Sequence, residues 1–329
     1  MLFPSPDTRV PLAVLRDGDP VPPSLRGAAI AIGNFDGLHR GHRALIDAAS
    51  RAAHAGGRPA ALLTFDPHPR AFFAPDRPHF RLTPEPVKLK VANRCGLDAV
   101  FLRRFDAALA ATSAREFVEV LLARNLGASS LVVGQDFHFG RGREGSPALL
   151  RDLAGALGIE VTIAETVASG SEPVSSSRIR ALLAEGRVED ANALLGYRWF
   201  VAGPVVHGAK LGRTLGFPTA NLALDPGCGL AHGIYAVRAA IAPGEILDGV
   251  ASFGRRPTFD DGPPLLETYL FDWSGDLYGR DIEVEFLSLI RREAKFEDAD
   301  ALVRQMRLDE AEARRILAAA PSEPRSFIG

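Results

Sequence analysis

Cysteine is nearly absent. Only Cys95 and Cys228 occur in 329 residues, in unrelated contexts and without a CxxC pair. The chain therefore offers neither a disulfide framework nor a thiolate metal site, and it fits a reducing compartment, the cytoplasm. Lysine is almost as scarce, at Lys88, Lys90, Lys210 and Lys295, with arginine carrying the rest of the positive charge. A formal net charge of -2 gives no electrostatic reason to expect nucleic acid or a membrane surface as a partner, and leaves self-association open. No apolar run approaches the roughly 18 residues of a membrane helix. The opening MLFPSPDTRVPLAVL has no basic segment leading into an apolar stretch, so no secretion signal is expected. Internal repeats and low-complexity tracts are missing too.

What remains is ordinary globular composition, 47% hydrophobic and 24% charged. The length points to two domains of roughly 150 residues each. From Ala28 to about Gly186 short apolar runs alternate with helical patterns, which predicts a doubly wound parallel sheet over residues 1–186. Strands are expected at Ala28–Gly33, Ala60–Phe65, Ala99–Leu102, Ser130–Gly134 and Ile159–Ile163. The first helix carries Leu45, Ile46, Ala49, Ala52 and Ala53 on one face and stops at Gly56 and Gly57. Ser113 followed by Glu116 reads as a capping box. In residues 187–329 the grammar changes. A short helix around Val188–Leu195 precedes β-type segments with no helices between them, which predicts an antiparallel barrel. A terminal helix with Phe296, Leu302, Val303 and Met306 in register is expected to pack on it, followed by a loose tail, AAPSEPRSFIG.

The first strand runs into GNFDGLHRGH, where His39 and His42 stand three residues apart at the mouth of a helix. Ligands bind beyond the carboxyl ends of strands in open α/β sheets, and the positive end of a helix dipole favours an anion. A phosphate is the guest this suggests. Two imidazoles can donate N–H groups to phosphoryl oxygens while Gly37 and Gly41 let the backbone come close. A polar surface turn is the alternative for HxGH alone, and a core turn for DFHFG.

At these residues the sequence resembles the HxGH nucleotidyltransferase superfamily, with its Rossmann-like sheet. Three further segments, TFDPHP from Thr64, GQDFHFGRGREG from Gly134 and SSSRIR from Ser175, make it similar to the FMN adenylyltransferase module of the bacterial bifunctional riboflavin kinase/FAD synthetase family. The resemblance implies that His39 and His42 bind ATP phosphates in a pocket lined by Gly33, Asn34, Phe35, Asp36 and Gly41. It implies that Ser176, Ser177 and Arg180 close on those phosphates, and that Asp66, Asp136 and Phe137 serve the flavin. An FMN phosphate is already an anionic nucleophile, so alignment and charge neutralisation, by N–H groups and Mg²⁺, are the chemistry required. Three positions depart from the family pattern: His138 where arginine is usual, Ser146 where aspartate is common, and Ser177 for threonine. The first exchanges a permanent charge for a titratable one.

The second constellation is VVHGAKLGRTLGFPTANL, Val205 to Leu222, which lacks the GxxxxGKS/T spacing of a P-loop. Pro218 fixes the backbone ahead of Thr219 and Asn221, which face the same way in an extended strand and offer hard oxygens to Mg²⁺. Gly208, Gly212 and Gly216, with Lys210 and Arg213, suit phosphates. A Gly-rich hairpin whose Thr and Asn satisfy a turn is the alternative. This segment resembles the riboflavin kinase signature, and GIYAV, GVASFGRRPTF, LETYLFD, DLYGR and REAKF follow in the family's order. The resemblance implies a six-stranded barrel binding ATP and riboflavin, with Thr219 and Asn221 on the metal and Glu267 as catalytic base. By itself Glu267 also reads as an edge-strand surface charge. The expected activity is phosphorylation of riboflavin to FMN and adenylylation of FMN to FAD. A kinase with a weak or inactive adenylyltransferase module and a non-catalytic flavin-binding regulator remain alternatives.

Overall fold

The computed structural model describes residues 11–208, 216–254 and 264–329. Two compact units result, one built from the described residues up to Pro78 with Pro84–Ser175, the other from His79–Thr83 with Ser176–Gly329. The helix Ser176–Glu185, placed before the expected boundary at 186, clusters with the second unit.

The first unit holds a parallel sheet of β1 (Ala13–Leu15), β2 (Ala29–Ile32), β3 (Ala60–Asp66), β4 (Ala99–Arg104), β5 (Ser130–Gly134) and β6 (Glu160–Ala164), in the order β1-β4-β3-β2-β5-β6, followed by a two-stranded ribbon of β7 (Ala168–Ser169) and β8 (Glu172–Pro173). β2 is buried at every position and β3 at all but its last, so continuous apolar runs, not alternation, mark strands covered on both faces. Every expected strand lies within a residue or two of its observed span, and the doubly wound fold stands. β1 was not foreseen. It is a three-residue edge strand paired with β4, too short to carry a period. The helix Arg40–Ala55 ends at Gly56 as its glycines suggest, and Ser113 and Glu116 form the capping box.

Strand order reverses between β2 and β5, the neighbours from which the sheet winds outward in both directions. The loops leaving their carboxyl ends are GNFDGLHRGH and GQDFHFG, with the TFDPHP loop leaving the adjacent β3. Three motifs distant in sequence therefore share one edge, at the point where open sheets bind ligands.

In the second unit β9 (Phe200–Val206), β10 (Thr219–Ala223), β11 (Gly233–Ala242), β12 (Glu245–Gly254), β13 (Leu265–Leu270) and β14 (Asp281–Arg292) close a barrel in the order β10-β13-β12-β11-β14-β9, antiparallel throughout. Alternate residues fill it: Leu222, Tyr235, Ala251, Phe253, Leu266 and Thr268 are buried. The terminal helix runs Ala299–Ala318, capped by Asp298, so Phe296 precedes it and Ala313 and Leu317 make its buried contact with Ala236, Phe271 and Leu287. Buried Asp309 pins it further by accepting from Arg291 at 2.7 Å.

The last residues are not the loose tail expected. Phe327 and Ile328 are buried, Phe327 stacks on Tyr197 at 4.9 Å, and Ser326 Oγ donates to Glu285 at 2.6 Å. Glu285 is fully buried beside Arg198, and desolvation raises its pKa above the usual carboxylate range despite both partners. A segment too short for periodicity is held by contacts distant in sequence.

Candidate active sites

At the end of β2 the chain makes a tight reversal. Phe35 and Leu38 have φ of 46° and 36°, and Gly37 has 87°, a conformation that costs energy for the two non-glycine residues. All three are buried, as are Asp36 and His39. The loop is held from below: the Asn34 carbonyl accepts from the Thr64 hydroxyl and from Lys88 Nζ, each at 3.0 Å.

The loop delivers His39 as the cap of the helix Arg40–Ala55. Its Nδ1 accepts from the His42 backbone N–H at 3.2 Å. An Nδ1 that accepts carries no proton, so hydrogen bonding assigns the neutral ring's proton to Nε2, leaving that atom as a donor. The two imidazoles stack, centroids 3.7 Å apart and planes 14° from parallel, with Phe35 5.0 Å from His42. Gly41 gives the stack room, since a Cβ there would lie 3.1 Å from the His39 ring and press on it. Burial above all, with His39 and Lys88 adding to it, holds the His42 pKa well below the ordinary imidazole value. Among the described residues, buried His42 Nδ1 has no hydrogen-bond partner, which also disfavours the imidazolium.

Thus Gly33, Asn34, Phe35, Asp36, His39, Gly41 and His42 form one constellation; on the flanking strands, Asp66 ends β3, and Asp136 and Phe137 sit on the loop after β5. Phe137 stacks on Phe139 at 5.4 Å. Ser176, Ser177 and Arg180 belong to a helix of the second unit, where Arg180 Nε donates to the Phe80 carbonyl at 2.6 Å. The departures at Ser146 and His138 have local explanations. Ser146 caps the helix Pro147–Gly155 by accepting from Leu149 at 3.2 Å, work that an aspartate would also do. His138 is exposed, its Nδ1 2.9 Å from the Asp136 carbonyl.

The second constellation lies on the barrel. Register pairs Thr219 with Tyr269, Asn221 with Glu267, and Glu267 in turn with Ser252. Thr219, Asn221, Glu267 and Ser252 consequently share one face of three neighbouring strands, opposite the face of buried Ala220, Leu222, Leu266 and Thr268. Asn221 is buried and, among the described residues, its Oδ1 has no hydrogen-bond partner. Gly208 makes room for its amide, for a Cβ there would fall 2.3 Å from Nδ2. An orphaned carbonyl oxygen beside a hydroxyl two residues away is a donor set suited to a hard divalent cation. Gly216 has φ of 88° and leads into Phe217, which packs on Tyr269 at 5.1 Å, and Pro218. Lys210, Gly212 and Arg213 lie outside the described residues.

Both constellations lie within stretches that match known families. The FAD synthetase family matches residues 21–178 and the riboflavin kinase family residues 195–317. A protein of Escherichia coli (strain K12), the bifunctional riboflavin kinase/FMN adenylyltransferase, is 40% identical over 288 residues, covering 88% of this chain and 92% of that one. This chain belongs to that family. The protein of the same description from Pseudomonas fluorescens is 40% identical over 310 residues, covering 92% of this chain and 96% of its own length. A solved structure from Streptococcus pneumoniae, described as a macrolide-efflux protein, has a TM-score of 0.82 at 31% identity, covering 92% of this chain and 99% of that one. Among the described residues no helix here is long and apolar enough to cross a membrane.

Sequence reasoning missed Lys88 and Ser252. Lys88 is buried on the inner face of the helix Glu85–Arg94 with Val87, Val91 and Ala92. A lysine on an apolar stripe was the available signal. Ser252 becomes visible only through the register of β12 with β13.

Proposed function

We propose that this chain makes FAD from riboflavin in two ATP-dependent steps at separate sites, phosphorylation in residues 187–329 and adenylyl transfer in residues 1–186. The observation that carries the proposal is the coexistence of two constellations, stacked His39 and His42 at a helix mouth, and Asn221 opposite Glu267 on a barrel.

At the first site, the FMN phosphate needs no base. His39 and His42 donate from Nε2 to the ATP phosphates, and Arg180, with the Ser176 and Ser177 hydroxyls, neutralises charge as pyrophosphate departs. Asp66, Asp136 and Phe137 serve the flavin. Gly33, Asn34, Phe35, Asp36 and Gly41 form the floor of the nucleotide pocket. At the second site Asn221 Oδ1 and the Thr219 hydroxyl would hold Mg²⁺. Bound there, the ion supplies charge neutralisation on the ATP phosphates. Glu267 accepts the proton of the terminal ribityl hydroxyl as it attacks the γ-phosphorus. The Gly-rich stretch with Gly208, Lys210, Gly212, Arg213, Gly216 and Pro218 takes the nucleotide.

Incubating the purified chain with ATP, Mg²⁺ and either riboflavin or FMN, then separating the flavins, tests both halves. FMN from riboflavin and FAD from FMN are expected. FMN without FAD would leave a kinase alone, and tight flavin binding without turnover would leave a regulator.

A further inference from the structure

We propose that Lys88 is a positioning residue of the adenylyl-transfer site, its buried ammonium locking the Asn34–Leu38 reversal from beneath so that His39 and His42 present their donors together. This rests on the reading of the first site given above.

The ammonium is buried, donates to the Asn34 carbonyl at 3.0 Å and lies 3.4 Å from Thr64 Oγ1. Thr64 Oγ1 itself donates to the same carbonyl. Desolvating an ammonium is costly, so two oxygen partners at the base of a catalytic loop are not incidental packing. The residues held above it include two in the left-handed region, Phe35 and Leu38, a conformation that persists only where its surroundings enforce it. Carbonyl, hydroxyl and ammonium form that enforcement on the strand side of the loop.

Charge gives the same residue a second role. Among the described residues, the titratable groups acting on His42 are His39 from its own turn and Lys88 from the helix Glu85–Arg94. A cation beneath the pocket attracts the triphosphate while His42 stays neutral. Phosphate binding then does not depend on protonating a histidine.

The test uses the full chain. Lys88→Met is expected to lower kcat for FAD formation from FMN roughly 100-fold, the cost of a misplaced catalytic group. Riboflavin phosphorylation in the same protein should stay within about twofold, being a separate reaction. Ring NMR of His42 should show its titration moving upward. Lys88→Arg, which keeps the charge, should restore at least about a tenth of the rate, one hydrogen bond being worth about that factor, and hold His42 neutral. Equal rates for the Met and Arg variants, a His42 titration unmoved by Lys88→Met, or loss of both activities would overturn the proposal. Should the Met variant lose cooperative melting, the Arg variant and Thr64→Val decide. Thr64→Val should slow FAD formation less than about tenfold and leave His42 unmoved; a shift of His42 in either would overturn it. If the unaltered chain makes no FAD, the functional reading fails, whereas the His42 titration still reads the Lys88 interaction.

Discussion

Asn221 and Glu267 stand directly opposite each other on β10 and β13, so the oxygen proposed for the metal and the carboxylate proposed as base leave the sheet side by side. Side chains of such a pair are about 5 Å apart at Cβ, a separation that admits an ion and the hydroxyl it would serve. Glu267→Gln is expected to lower riboflavin phosphorylation by 100-fold or more, the usual contribution of a general base. FMN adenylylation should be unchanged, read by supplying each flavin separately.

His39 caps its helix and is proposed to donate to phosphate, two roles that one substitution can separate. Asparagine is among the best helix caps. His39→Asn should therefore keep the melting temperature while FAD formation falls roughly 100-fold through loss of the outward donor. His39→Ala should lose both, with about 1 kcal/mol of stability going with the cap. Calorimetry beside the flavin assay distinguishes the two.

The buried, depressed His42 makes the first unit sensitive to acid. Its folded pKa lies below the unfolded value near 6.5, so the unfolded chain takes up the proton first. Stability from this group is complete above about pH 6.5 and declines as pH falls toward the folded value. His42→Gln should flatten this pH dependence of melting between about pH 6.5 and 5.

Ser146 bears on whether the adenylyltransferase half is weakened. If it serves the helix Pro147–Gly155 as a cap, Ser146→Asp should leave FAD formation within about twofold, and Ser146→Ala should cost about 1 kcal/mol of stability. A large gain in rate for Ser146→Asp would mean that the natural serine costs catalysis.

The tail offers a test of the second unit. Phe327 is buried against Tyr197, so Phe327→Ala should destabilise by about 3 kcal/mol. Denaturant unfolding followed by loss of kinase activity measures it.

How much of this was legible beforehand follows from where the information resides. Helix Val188–Leu195 and strand Ser130–Gly134 have the bounds their local patterns give, because periodicity and turn residues are local signals. GNFDGLHRGH and GFPTAN could be found because close backbone approach restricts side-chain choice along a continuous stretch. Lys88 escaped notice because its partners, Asn34 and Thr64, are 54 and 24 residues away. The tail escaped because Tyr197, Arg198 and Glu285 reach it across more than a hundred, or some forty, residues.

The amino-acid order alone determined the kinds of element and the two reactive inventories, since both are written in runs of neighbouring residues. Tertiary structure alone decided which strand ends meet at the switch between β2 and β5, that Glu267 faces Asn221, and that an ammonium lies beneath the histidine loop. Those are matters of register and burial, set by apolar surfaces closing over one another, and no local stretch of chain encodes them.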